Sequence, residues 1–109
     1  MNTSSIGKRI RKFREAKGWR QEDFVEKIGL SVTYTGMIER GEKVPKLETF
    51  ITIANVLGVS ADLLLADVLA TGYSIKSSEM TEEISSLSPS ERDRIYNIVS
   101  AMIKFEKKK

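Results

Sequence analysis

Between Gln21 and Gly41 the chain reads QEDFVEKIGLSVTYTGMIERG, and this stretch decides the fold. Its first part, Gln21 to Ile28, carries Phe24, Val25 and Ile28 at helical spacing and is stopped by Gly29. Ser31 is a good N-cap for a second helix, Val32 to Arg40, which Gly41 closes. Two helices of about two turns each are thus joined by the tight turn Gly29-Leu30-Ser31.

At about 100° per residue from Val32, the residues Val32, Thr33, Gly36, Met37 and Arg40 fall on one side of the second helix. Tyr34, Thr35 and Ile38 fall on the other. One face can pack while the opposite face stays open, which is the outline of a helix-turn-helix whose second helix enters a DNA major groove.

Working outward, Ile6, Ile10 and Phe13 mark a helix through Ser5 to Lys17, ended by Gly18. Trp19 and Phe24 have the spacing of a hydrophobic staple around a helix start at Gln21. Glu42 to Lys46, with Pro45, reads as a loop, and Leu47, Phe50, Ile51, Ala54 and Leu57 give a fourth helix up to Gly58. Ser60 caps a fifth containing Leu63, Leu64 and Leu65. No segment alternates with period two, so the chain reads as all-α.

These residues resemble the Xre, or phage-repressor-like, helix-turn-helix family over about Ser5 to Leu65. The resemblance is carried by IGKRIRKFREAKGW, by QEDFVEKIGLS, by Ile38-Glu39-Arg40-Gly41, by Pro45 and by ANVLGVSADLLL at Ala54 to Leu65. It implies a five-helix, lambda-repressor-like DNA-binding domain over residues 1–69 that holds double-stranded operator DNA as a dimer. It also implies a partly buried structural ion pair between Arg14 and Glu39.

Within that resemblance Gln21 stands at the start of the first motif helix, where backbone N–H groups and the positive dipole end suit a phosphate. Arg20, at the N-cap where the family usually has Thr, Ser or Asn, adds a second phosphate candidate; Ser31, Arg40, Lys43 and Lys46 complete the set. Base readout falls to Thr33 and Met37, with Val32 and Gly36 close to the bases. Thr35 stands where the family commonly buries Ile or Val, and Gly36 where it commonly has Ser. The face has few groups for bidentate base contacts, so a modest preference, partly read through DNA shape, is expected.

Residues 70–78, rich in Ser, Thr and Gly, read as a linker, and 79–109 as a C-terminal helical appendage. Ser88-Pro89-Ser90-Glu91 is a helix start with a capping box. Ile95, Ile98, Val99, Met102 and Phe105 follow at steps of three and four, a stripe that requires burial. Self-association into a homodimer is the favoured partner for it; the alternative is a fold back onto Leu63 to Leu69.

The uneven charge suits a polyanion partner, although ordinary solvated faces would account for it equally. Residues 1–46 carry +5, residues 47–103 carry −5, and the lysine-rich end restores the net +3. With no cysteine and no histidine there is no disulfide framework, no thiolate site and no imidazole base, so neither metal nor cofactor is expected. No apolar run reaches the roughly 20 residues of a membrane span, and no secretory signal opens the chain; a cytoplasmic location and no membrane partner are expected. An enzyme is excluded as a working reading: Ser5-Ile6-Gly7-Lys8 matches a serine-hydrolase pattern without any supporting motif. The rival is an antitoxin or adaptor on the same fold, binding a regulatory protein partner with DNA secondary.

Overall fold

Seven helices follow one another in the computed structural model, which describes residues 1–108, and no strand occurs among them. They are α1 (Ser4–Ala16), α2 (Gln21–Ile28), α3 (Val32–Glu39), α4 (Leu47–Leu57), α5 (Ala61–Leu64), α6 (Gly72–Ser85) and α7 (Pro89–Lys107). Gly29 and Gly58 end α2 and α4 in the left-handed conformation, at φ of 71° and 69°, which glycine adopts without the Cβ penalty. Ser31 and Ser60 cap α3 and α5 through their side-chain oxygens, as their positions predicted.

Two compact units divide the chain, residues 1–75 and 76–109. The first holds α1 to α5 around Ile10, Phe24, Ile38, Ile53, Leu57 and Leu64, each almost completely buried. On α1 to α3 these are the inward members of the helical periodicities; on α4 the core takes Ile53, Ala54 and Leu57, whereas Leu47 and Ile51, read as part of its apolar face, are exposed. Trp19 stacks on Phe24 with ring centroids 6.3 Å apart and planes 22° from parallel, closing the staple at the start of α2. Arg9 on α1 ties down the other end, pairing with Asp67 at 2.7 Å and donating to the Leu63 carbonyl at 3.1 Å.

Where α1 lies against the end of α3, only glycine fits. A Cβ on Gly7 would collide with the Ile38 carbonyl oxygen and stand 2.9 Å from that of Glu39. Both obstacles are backbone atoms, so α1 would have to retreat from α3. Gly7→Ala is therefore expected to destabilise the fold by about 1–3 kcal/mol, despite alanine's better helix propensity. Urea unfolding checks this, and an unchanged midpoint would refute so close an approach.

The stretch read as a linker is corrected by the structure, since α6 begins at Gly72 and runs through 78 without a break. Gly72 is buried, and a Cβ there would collide with the Ala66 carbonyl oxygen; the glycine serves close packing rather than flexibility. Ser74 and Thr81 donate their hydroxyls to carbonyls three and four residues back, at Thr71 and Ser77, so small polar residues are accommodated within helical geometry.

In the second unit α7 begins as predicted. The Glu91 N–H donates to the Ser88 hydroxyl at 3.3 Å, and the Ser88 N–H donates to the Glu91 carboxylate at 3.1 Å. The Ser88 hydroxyl itself donates to that carboxylate at 2.7 Å, and this bond foremost, with the Ser88 N–H second, holds the Glu91 carboxyl below its ordinary range. Along the stripe, Ile95 is half-buried, but Ile98, Val99, Met102 and Phe105 are exposed, Ile98 by 55% and Met102 by 63%.

Candidate nucleic-acid interface

Thr35, Ile38 and Glu39 turn α3 inward and are buried, with Tyr34 half-buried beside them. The Thr35 hydroxyl finds no hydrogen-bond partner among the described residues, so this contact with the core is made at the cost of a desolvated polar group. On the outward side Ser31, Val32 and Thr33 are exposed at the first turn, and Met37 is half-buried one turn later.

Gly36 lies on the same side of α3 as Val32, Thr33 and Met37. It is buried, and what covers it is the side chain of Arg40: Nη1 lies 2.9 Å from where a Cβ on Gly36 would stand, and Gln21 Nε2 lies 3.8 Å from the same point. A helical projection gives the direction of each residue but not which long side chain from the next turn lies across it. Arg40, four residues on, is that neighbour.

Behind this face sits a buried carboxylate with donors from two other helices. Glu39 accepts from Arg14 Nε at 2.8 Å and Nη2 at 3.1 Å, a two-pronged pair, and from Gln21 Nε2 at 3.1 Å. Arg14 Nη1 donates to the Trp19 carbonyl at 2.7 Å. The ion pair implied by the resemblance is therefore present, and each buried charge is hydrogen-bonded. The link to Gln21 was not read from the sequence. It fixes the side chain of a phosphate candidate to the same carboxylate that joins α1 to α3.

The flanks are less purely basic than their lysines and arginines suggest. Arg20 donates its backbone N–H to Asp23 at 2.8 Å, and this bond above all holds the Asp23 carboxyl below its usual range. Since an arginine side chain offers no acceptor, Asp23 supplies the polar cap at the start of α2. The Arg20 guanidinium also pairs with Asp23 at 3.4 Å and Glu22 at 3.6 Å. Arg40 pairs with Glu42 at 3.0 Å, which lowers the Glu42 pKa. Lys43 and Lys46 are exposed. The N–H groups of Glu42 and Lys43 both donate to the Met37 carbonyl, at 2.9 and 3.3 Å, bending the chain after α3 so that Lys43 returns toward the helix end.

Two short helices around a left-handed glycine, the second with one face in the core and the other open beside lysines, define a helix-turn-helix protein. The chain matches the helix-turn-helix family model HTH_3 over residues 10–64, about half its length, and belongs to that Xre-like family of DNA-binding transcriptional regulators. It is 47% identical over 64 residues to the HTH-type transcriptional regulator YazB of Bacillus subtilis (strain 168), a match covering 59% of this chain and 93% of YazB. With the HTH-type transcriptional regulator SinR of the same organism it shares 33% identity over 69 residues, 62% of each chain. Among solved structures it is similar to the restriction-modification controller protein C.AhdI from Aeromonas hydrophila, at 32% identity and a TM-score of 0.54 over 57% of this chain and 94% of that one. The chain spans less than two thirds of SinR. Among the described residues no helix is long and apolar enough to cross a membrane.

Proposed function

We propose that this chain represses transcription by placing α3 in the major groove of an operator as a two-fold dimer joined through α7. The observation that carries the reading is the first turn of α3: Val32 and Thr33 are exposed, no acidic residue stands among the outward positions from Val32 to Met37, and Lys43 and Lys46 flank the helix. Thr33 and Met37 read base edges, a hydroxyl pairing with several of them and apolar groups suiting a thymine methyl. Gln21, Ser31, Lys43 and Lys46 hold phosphates, with Arg20 beside them. The exposed stripe Ile98, Val99, Met102 and Phe105, with Ile95 at its edge, is the surface for the second copy. Two copies reach half-sites roughly 34 Å apart.

Titrating salt against binding to random duplex tests the reading. Affinity is expected to fall steeply as salt rises, and Lys43→Ala to weaken all sequences equally while reducing the slope of log K against log salt by about 1. Thr33→Ala is expected instead to relax preference at one or two base pairs. No measurable binding at low salt would overturn the proposal in favour of the protein-interaction module.

A further inference from the structure

We infer that Arg40 reads a guanine rather than anchoring a phosphate, and that Gly36 is the seat that admits it to the groove face. The inference rests on the reading of α3 as the groove helix and deepens it, since it assigns the residue that supplies the sharpest base preference.

Arg40 stands one helical turn after Gly36. Its Nη1 and Cζ lie 2.9 and 3.7 Å from the place a Cβ on Gly36 would occupy. Any side chain at 36 would push the guanidinium off the helix; with glycine it lies across the face where Val32, Thr33 and Met37 also stand. Glu42 holds Nη2 at 3.0 Å, so the group is fixed from the side away from Gly36. Gln21 Nε2 reaches to 3.8 Å of the same point and is itself tied to Glu39.

That placement favours a base over a phosphate for two reasons. A guanidinium has five N–H donors in a rigid fork; Glu42 takes one, and two suffice for guanine O6 and N7. The Arg40 charge, moreover, is already offset by a carboxylate that would repel a phosphate placed against the pair. What the pair offers is therefore directed hydrogen bonding more than net positive charge. The other outward residues supply only a hydroxyl and apolar groups, so Arg40 is the one fork on this face among the described residues.

Selection of bound duplexes from a random pool, run with the full chain and with Arg40→Lys and Gly36→Ala, tests the inference. Lysine keeps the charge but loses the fork, and alanine at 36 displaces only the far end of a flexible side chain while leaving a good helix former. The wild-type chain is expected to enrich one guanine per half-site. Arg40→Lys should lose that preference by roughly 5- to 150-fold with neighbouring positions unchanged, and Gly36→Ala should weaken it at the same position. Circular dichroism spectra confirm that both variants fold. If Arg40→Lys retains the guanine, or Gly36→Ala leaves it at wild-type strength, the inference is overturned while groove binding stands. If the wild-type chain enriches no duplex at all, the groove-helix reading fails and takes this one with it.

Discussion

Glu39→Ala is expected to lower the unfolding free energy by about 3–5 kcal/mol, a large part of the 5–15 kcal/mol typical of a small domain. The loss arises less from the missing attraction than from what stays behind. Arg14, 8% exposed, would keep a buried guanidinium left with the Trp19 carbonyl at 2.7 Å and the exposed Glu15 carboxylate at 3.8 Å. Gln21 would lose its partner in the same stroke. Urea unfolding followed by circular dichroism measures the effect. Replacing both charges at once, Arg14→Met with Glu39→Leu, should recover most of the lost stability, because a well-packed apolar pair needs no compensation. A single Glu39→Ala variant as stable as the parent would show that the cluster is wetter and weaker than its geometry implies.

The second large effect is expected from the stripe on α7. Ile98→Asp with Met102→Asp places two carboxylates on positions that are 55% and 63% exposed in the single chain. Exposed substitutions of this kind change folding stability by only about 0.5 kcal/mol, so the fold should survive. A dimer held there should not. Sedimentation is expected to show the mass halved, and operator affinity to fall by about 100-fold or more once two half-sites no longer share one tethered ligand. An unchanged mass would show that the stripe is not the dimer contact. Point substitutions are the better tool than truncation near Ala70, which would remove Gly72 from its seat against Ala66.

Sequence made the first five helices legible because punctuation and periodicity agree there. Gly18, Gly29, Gly41 and Gly58 all have positive φ, and most of the apolar positions read between them are buried, although Leu47 and Ile51 on α4 are exposed while Ile53, outside the stripe read for that helix, is buried. Residues 70–78 misled because glycine and serine have two uses, and composition alone does not distinguish a loose connection from Gly72 pressed on a carbonyl. Resemblance supplied the Arg14–Glu39 pair, which periodicity could not. The third donor to Glu39 comes from Gln21, 18 residues away in sequence, and no spacing rule announces it. For Arg40 a signal was available: a glycine four residues before an arginine on one helical face marks a place where the long side chain can lie down. Exposure was read correctly at Val32 and Thr33, where no side chain from a later turn intervenes.

One carboxylate, Glu39, joins three helices, and this divides the surface proposed to meet DNA into parts with different evolutionary freedom. Val32 and Thr33 face solvent, so a lineage drifting toward a new operator can exchange them without disturbing the interior. Gln21 cannot be exchanged so cheaply, because its amide belongs to the same cluster that keeps α1 against α3. Descendants of this protein should therefore diversify at the first turn of α3 while inheriting the Gln21, Arg14 and Glu39 trio nearly intact.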